Sequence, residues 1–354
     1  MIKKTFLSFL VFFSLNFFTE VRAQQSTIWS VEKANKWYEE QGWLVGANFL
    51  PSTAINQLEM WQAETFDPIT IDRELGWAAA IGMNTMRVYL HDLAWKADAV
   101  GLKKRMDQFL SIAKKNKIKI LFTIFDDCWN PDAAIGKQPA PKPGIHNSGW
   151  VRSPNKMVHN DSTLWKYLEA YVKDLLRTFK NDNRILMWDL YNEPGNSDYG
   201  IASLPLLKKV FEWAWAVRPS QPITGATWRS NKVIDDYLLQ NSDVVTMHNY
   251  SDAANLEKEI QQKMKLGRPV ICSEYMARTR GSKFQTHLPI FKKYNVGAIN
   301  WGLVAGKSNT IYQWDTPIPE GSEPKIWFHD IFRIDGSAYD SAETGVIKLL
   351  TSKK

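Results

Sequence analysis

Cysteine and histidine are both scarce in this chain of 354 residues, which contains two cysteines and six histidines. Two cysteines exclude a small domain held together by several disulfides. The histidines are scattered and do not form a ligand cluster, so we predict no bound metal. Cys128 and Cys272 leave two alternatives, which are one disulfide or two free thiols with Cys272 buried in an apolar strand.

Long runs of one charge are also missing. The formal net charge of +7 is spread along the chain, without five like charges in succession. Nucleic-acid binding requires a basic stripe, so this class of function is excluded. Hydrophobic residues make up 44% and charged residues 23% of the chain, which is typical of a folded protein.

One apolar run stands at the beginning of the chain. A basic start, the apolar residues 6–18 and the small residue Ala23 predict a secretory signal peptide over residues 1–23. The alternative is a membrane anchor, but the run is shorter than the ~20 apolar residues that a span requires. We expect residues 24–354 to be the mature protein, exported to the periplasm or the medium and without a membrane span.

Short β-branched and apolar runs alternate with longer segments of helical period throughout the remaining chain. The eight predicted strands are residues 43–48, 84–89, 118–125, 185–191, 222–227, 243–248, 269–274 and 297–301. The predicted helices are residues 68–82, 101–116, 161–180, 200–218, 231–240, 252–266, 283–294 and 338–350. Eight strand–helix units in order predict one α/β domain, a single (β/α)8 TIM barrel. An additional amphipathic helix near 30–41 would cap the barrel floor.

Three connections are longer than a barrel needs, namely residues 49–66, 126–160 and 302–337. All three follow strands, so we expect them on the carboxyl-terminal face, where barrel active sites lie. Trp314 and Trp327 in the last of these segments suggest that it closes one end of the cleft and favours exo action.

Two predicted strands end in a glutamate. Asn192-Glu193-Pro194 ends the fourth strand and Ser273-Glu274 ends the seventh. These strands lie on opposite sides of an eight-strand ring, so the two carboxylates would face each other across its mouth. Cleavage of a glycosidic bond needs such a pair, one to protonate the leaving oxygen and one to attack the anomeric carbon. The alternative is a pair of solvated loop glutamates.

These motifs resemble the retaining β-glycosidases of glycoside hydrolase clan A, most closely family 5, the cellulase and mannanase family. The matching residues are Arg87, Asn192-Glu193-Pro194, His248-Asn249-Tyr250, Glu274 and Trp301, each at the end of a predicted strand. The resemblance implies that Glu193 is the acid/base and Glu274 the nucleophile. This family usually has a histidine after strand three, where this chain has Asp126-Asp127-Cys128-Trp129.

Four further residues have physical roles beside this resemblance. Arg87 would keep Glu274 ionised, because an adjacent cation lowers the pKa of a carboxylate; an ordinary ion pair is the alternative. Tyr250 would donate its hydroxyl to Glu274, and His248 would orient its neighbours or contact sugar, unless it is a core histidine. Asn192 would bind the 2-hydroxyl of the sugar, unless it only forms a turn.

Aromatic residues are abundant, with 16 tryptophans in the chain. Flat apolar rings suit the faces of pyranose sugars, and we select Trp301, Trp129 and Trp228 as sugar-binding candidates. Asp126 either contacts sugar hydroxyls or caps the loop that follows it.

The predicted function is hydrolysis of a β-linked plant or microbial polysaccharide, or its oligosaccharides, by double displacement. The two carboxyl groups would then lie about 5–5.5 Å apart, as in retaining enzymes. Side chains and water carry both steps, so no cofactor is predicted, and we expect a monomer. The alternatives are a non-catalytic carbohydrate-binding protein on a glycosidase scaffold, or a transglycosylase that uses the same residues.

Overall fold

A computed structural model describes residues 28–228 and 231–352 of the chain. The predicted signal peptide lies outside the described residues. Within the described residues, no helix is long and apolar enough to cross a membrane.

The described chain is built around one sheet of nine parallel strands, β1 to β9, which forms a barrel. The strands are Val45–Asn48 (β1), Thr85–Tyr89 (β2), Lys119–Asp126 (β3), Ile185–Asn192 (β4), Ile223–Thr224 (β5), Ala226–Thr227 (β6), Val245–His248 (β7), Val270–Glu274 (β8) and Gly297–Asn300 (β9). In space the order is β5-β4-β3-β2-β1-β9-β8-β7-β6. Because only Gly225 separates β5 from β6, the two edges of the sheet meet at that glycine and the ring closes there.

Helices alternate with these strands. The α-helices are Val31–Gln41 (α1), Gln57–Trp61 (α2), Pro68–Ala80 (α3), Asp92–Lys115 (α4), Lys156–Asn160 (α5), Trp165–Thr178 (α6), Leu204–Val217 (α7), Lys232–Asn241 (α8), Ala253–Met264 (α9), Phe284–Lys293 (α10) and Ser341–Thr351 (α11). Side-chain oxygens cap the starts of several of them, as Asp67 does for α3 by accepting from the Thr70 amide.

The predicted (β/α)8 barrel is confirmed, and each predicted strand appears within two residues of its expected bounds. The fifth predicted strand is divided at Gly225 into β5 and β6. The predicted helix 101–116 corresponds to the part of α4 after Asp98, and a short helical segment that begins at Asp92 precedes it. Asp98 has non-helical backbone angles, and this kink shifts the helical period between the two halves of α4.

The amino-terminal end of the barrel is filled by a small apolar cluster. Tyr38 of α1 packs with buried side chains that begin or line the strands, namely Leu44, Leu121, Leu186, Met187, Val244, Ile271 and Ile299. Because α1 covers this cluster, the prediction that the first helix caps the barrel floor agrees with the structure. The opposite, carboxyl-terminal end of the barrel is left for polar side chains.

We predict that Gly46→Ala destabilises the barrel by about 1–3 kcal/mol, the usual cost of an overpacked core position. A β-carbon at Gly46 in β1 would lie 1.8 Å from the carbonyl oxygen of Thr85 in β2, so the two strands would have to separate. Urea unfolding of the variant and the unmodified protein measures the change.

The matched control is Gly345→Ala, because nothing lies within 4 Å of a β-carbon at that exposed position of α11. Alanine should leave stability unchanged there or raise it by up to about 1 kcal/mol. Equal unfolding midpoints for the Gly46 variant and the unmodified protein would contradict the tight β1–β2 contact.

Candidate active site

The two predicted glutamates lie together at the carboxyl-terminal mouth of the barrel. Glu193 follows the last residue of β4, and Glu274 is the last residue of β8. One oxygen of each carboxyl group and a ring nitrogen of His248 all lie within 4.8 Å of one another. The structure therefore brings the two carboxyl groups close together, as the strand positions predicted.

A cavity of about 870 Å³ opens above these glutamates. Every predicted site residue except Arg87 lines it. The lining includes Asp126, Trp129, Asn192, Glu193, His248, Tyr250, Glu274, Trp228 and Trp301, together with Cys128, His146, Asn147, Trp150, Asn196 and Trp314.

Glu274 is held by three donors. Arg87 donates from Nη1 to Oε1 at 2.7 Å, and the hydroxyl of Tyr89 donates to the same oxygen at 2.8 Å. The hydroxyl of Tyr250 donates to Oε2 at 2.8 Å. Burial raises the pKa of Glu274, and the positive charge of Arg87 acts against this rise. The donors fix the orientation of the carboxyl group and favour its ionised form.

Arg87 is fully buried beneath the cavity and connects several strands. Its Nε donates to Asp189 of β4 at 3.0 Å, and its Nη1 donates to Asn48 of β1 at 3.0 Å. Nη2 donates to Asn192 at 2.6 Å. Tyr89 follows Arg87 by two residues in β2. Because such residues face the same side of a strand, both side chains point towards Glu274.

Glu193 has a different environment. Its backbone φ of +43° places it in the left-handed region just beyond β4. Oε1 contacts His248 Nδ1 at 2.7 Å, and Oε2 accepts from Asn196 at 2.5 Å and from the Cys128 thiol at 3.3 Å. Burial raises the pKa of Glu193, whereas the donors Cys128 and Asn196 lower it. The cation Arg87 contacts the other glutamate, so burial favours the protonated form here.

His248 lies between the two glutamates, with Nδ1 also 3.4 Å from Glu274 Oε2. Burial lowers the pKa of this histidine to about 4, so its ring is neutral at neutral pH. A neutral ring positions the carboxyl groups without adding a second cation. His248 is thus in the site and is not a distant core residue.

Asp126 is buried below the cavity and is bonded within the protein. It accepts from Trp150 Nε1 at 2.7 Å, from Asn192 Nδ2 at 2.8 Å and from the Cys128 amide at 3.0 Å. Burial raises the pKa of Asp126 to about 6. Of the two roles considered for Asp126, the structure shows the loop-capping one, and the residue also orients Asn192.

The three selected tryptophans occupy different parts of the cavity. Trp301 lies in the floor, in edge contact with Tyr89 and Trp150 at centroid distances of 5.8 and 5.5 Å. Trp129 has a left-handed φ of +71° and packs 5.5 Å from His146. Trp228 donates from Nε1 to the carbonyl of Pro194, beside Glu193, at 3.1 Å.

The two cysteines are free and buried, so the disulfide alternative is wrong. Cys272 donates to the carbonyl of Glu274 at 3.2 Å. Cys128 lies against Glu193, at the position where the sequence departs from the family pattern.

Sequence reasoning missed several residues of the site. Tyr89 could have been found, because it follows Arg87 by two residues in one strand. Asp189 could also have been found, because it lies in the predicted fourth strand shortly before Glu193. His146 and Asn196 lie in irregular segments, where no period indicates which side chains face the cavity.

Glu193, His248 and Glu274 are the one group of potential metal ligands among the described residues. Glu274 already accepts from a guanidinium and two hydroxyls, so the positive charge that balances it comes from Arg87. The arrangement is therefore suited to proton transfer and nucleophilic attack by side chains.

Comparisons with known proteins support the same architecture. The family model described as glycosyl hydrolases family 2, TIM barrel domain, matches residues 139–301. A search of curated proteins finds no match by sequence. An endo-β-1,4-mannanase from Thermotoga petrophila has a TM-score of 0.59 at 14% identity, covering 89% of this chain and 77% of its own.

Two further solved structures are similar. An endo-1,4-β-mannanase from Rhizomucor miehei has a TM-score of 0.57 at 13% identity and covers 88% of this chain and 96% of its own. An exo-β-1,4-mannosidase from an Opitutaceae bacterium has a TM-score of 0.60 at 14% identity and covers 87% of this chain and 59% of its own. The fold is that of the TIM-barrel glycosidases. The resemblance to clan A drawn from the strand-end motifs is thus confirmed at the level of the fold.

We predict that neither cysteine reacts rapidly with a thiol reagent in the folded protein. Burial raises the pKa of both thiols well above their ordinary value, so little thiolate is present near pH 8. A chromogenic disulfide reagent should titrate no fast thiol in the native state and two thiols after unfolding without reductant. Finding no thiol after unfolding would indicate a disulfide and contradict the structure.

Proposed function

We propose that this protein is a retaining β-glycoside hydrolase in which Glu274 is the nucleophile and Glu193 the acid/base. The observation that carries this proposal is the pair of close carboxyl groups with unlike surroundings. Glu274 lies against a buried guanidinium and two hydroxyl donors, whereas Glu193 lies against a neutral histidine, an amide and a thiol. Unlike surroundings separate the pKa values of two carboxyl groups and so assign their roles.

In the first step, ionised Glu274 attacks the anomeric carbon while protonated Glu193 gives its proton to the leaving oxygen. A covalent glycosyl-enzyme forms and the aglycone departs. In the second step, Glu193, now ionised, removes a proton from water, which attacks the anomeric carbon and releases Glu274. The sugar therefore keeps its anomeric configuration.

The spacing of the carboxyl groups supports retention over inversion. Oxygens of the two groups lie within 4.8 Å, and an inverting enzyme needs a wider gap of about 6.5–9.5 Å to hold a water molecule.

The substrate that we propose is a β-linked oligosaccharide or polysaccharide. Trp301, Trp129 and Trp228 offer ring faces around the cavity, and Asn192 lies beside the glutamates, where a sugar 2-hydroxyl would lie. The similar structures include both an endo-mannanase and an exo-mannosidase, so the shared fold is compatible with either mode of action. Export through the predicted signal peptide would bring the enzyme to such substrates outside the cytoplasm.

Binding without catalysis is the competing function. A sugar-binding surface has no need for a carboxylate oriented by a buried arginine, and the network around Glu274 favours catalysis. Transglycosylation would use the same glycosyl-enzyme with a sugar as the acceptor in place of water. Product analysis separates it from hydrolysis.

We expect Glu274→Ala to lower kcat/KM on aryl β-glycosides by at least about 10⁴-fold, because no covalent intermediate can form. Glu193→Ala should cost about 10²–10⁴-fold, the usual contribution of acid–base catalysis. Azide should rescue both variants but give opposite products. Glu193→Ala should yield the β-glycosyl azide and Glu274→Ala the α-glycosyl azide, identified by NMR.

The control is Glu64→Gln, an exposed glutamate of segment 49–66, which should keep full activity. Swapped azide products would exchange the two roles. A wild-type protein that binds glycans but cleaves no β-glycoside would favour the binding-protein alternative.

A second prediction concerns Cys128. Its thiol donates to Glu193 Oε2 and thereby lowers the pKa of the acid, so Cys128→Ala should raise that pKa. Activity requires protonated Glu193, and the alkaline limb of the kcat/KM profile should therefore move to higher pH.

Cys128→Ser keeps a donor and serves as the matched control, with an alkaline limb close to that of the wild type. An unmoved limb in Cys128→Ala, or equal movement in both variants, would contradict a hydrogen bond from the thiol to the acid.

A further inference from the structure

Residues of segments 126–160 and 302–337 line one side of the cavity. Segments 126–160 and 302–337 are joined by backbone hydrogen bonds from the Asn147 amide to the Ser308 carbonyl, at 2.9 Å, and from the Ile318 amide to the Gly144 carbonyl, at 3.0 Å. His146 Nδ1 lies 2.9 Å from the carbonyl oxygen of Tyr312.

Segment 49–66 joins the same assembly from below. The amide of Lys307 donates to the Ser52 carbonyl at 3.1 Å, and the side chain of Asn56 donates to the Gly149 carbonyl at 2.8 Å. Because each segment is bonded to the other two, they form one continuous wall over the β1–β2 side of the barrel.

The inner face of this wall is aromatic. Trp129 and His146 pack at a centroid distance of 5.5 Å, and His146 and Trp314 at 6.4 Å. His146 is buried, and its Nδ1 contact with the Tyr312 carbonyl fixes the ring within the wall. Trp314 therefore closes the cavity as the sequence suggested, whereas Trp327 stacks on Tyr339 and is not among the lining residues.

The opposite side of the cavity faces solvent. Its lining there comes from Trp228, beside β6, and from the exposed residues Asp252 and Asn255. These side chains belong to connections that follow β6 and β7. The cavity is thus closed by aromatic rings at one end and bordered by exposed polar groups at the other.

The positions of the glutamates orient a sugar chain in this cavity. The leaving oxygen must lie at Glu193. Trp228 lies next to this residue on the open side, because its Nε1 donates to the carbonyl of Pro194. The sugar that is attacked must lie at Glu274, where Tyr89 and Trp301 form the floor on the walled side. The glycone therefore points to the wall and the leaving group to solvent.

From this geometry we infer that the enzyme acts from the non-reducing end and removes one terminal sugar at a time. The inference rests on the proposed function and specifies its mode of action. A chain that continued beyond the attacked sugar would have to pass through the wall formed by segments 49–66, 126–160 and 302–337.

The closed end begins close to Glu274, which favours a pocket for a single sugar. The hydroxyl of Tyr250 lies 2.8 Å from Glu274, and its ring is 4.8 Å from that of Trp314. Trp129 follows Cys128, whose sulfur lies 3.3 Å from Glu193. On the side of Glu274, Tyr250 alone separates the carboxyl group from Trp314 of the wall.

The experiment first identifies the sugar with a panel of aryl β-monoglycosides. A β-1,4-linked hexasaccharide of that sugar, labelled at its reducing end with a fluorophore, is then digested by the full-length mature enzyme. We expect the labelled pentasaccharide to appear first and the labelled tetrasaccharide after it, with only monosaccharide released. Early labelled di- and trisaccharides, or release of a disaccharide unit, would overturn the inference.

The matched control is the same hexasaccharide with a 4,6-benzylidene group on its non-reducing terminal sugar. A pocket that admits a single sugar would exclude this group, so the initial rate should fall at least tenfold. Equal cleavage of capped and uncapped chains, with aryl glycosides still hydrolysed, would overturn the inference and leave the proposed function standing. No hydrolysis of any aryl glycoside or hexasaccharide would overturn both.

Discussion

A buried guanidinium is the constraint on which the rest of the site depends. Arg87 lies fully inside the barrel, where an unpaired charge is very unfavourable, so its donors must be satisfied by acceptors from neighbouring strands. Asp189 and Glu274 balance its charge, and Asn48 and Asn192 accept its remaining hydrogen bonds. One side chain thus fixes the relative positions of β1, β2, β4 and β8 at the level of the cavity. The same hydrogen bonds that satisfy the buried arginine also orient Glu274, the proposed nucleophile.

The two glutamates differ because their partners differ. The donors to Glu274 include a permanent cation, whereas the thiol and amide that contact Glu193 are neutral, and His248 is kept neutral by burial. Burial raises the pKa of both groups, and the two differ in that the Arg87 guanidinium is hydrogen-bonded to Glu274. The cysteine after β3 fits this scheme, since a weak donor supports the acid without strongly favouring its ionised form.

Much of this architecture can be predicted from the sequence, because parallel barrel strands are buried runs that end abruptly at polar residues. Glu193 and Glu274 follow from that rule, whereas Arg87 and His248 were selected through the resemblance to family 5. Tyr89 and Asp189 follow the alternation of side-chain directions along a strand. The sequence alone does not show that they contact residues of other strands. His146 and Trp314 lie in irregular segments whose mutual contacts are not encoded by any period, and the kink at Asp98 separates the predicted part of α4 from the short segment that begins at Asp92.

The wall divides the connections of the barrel into a group that is mutually bonded and a group that can change independently. Segments 49–66, 126–160 and 302–337 are bonded to one another, so a change of length in one of them disturbs the other two and the closed end that they share. The connections after β6 and β7 border the open side, where inserted or substituted residues would be exposed to solvent. Evolution or protein engineering can therefore alter the group that leaves while the pocket for the terminal sugar is inherited unchanged.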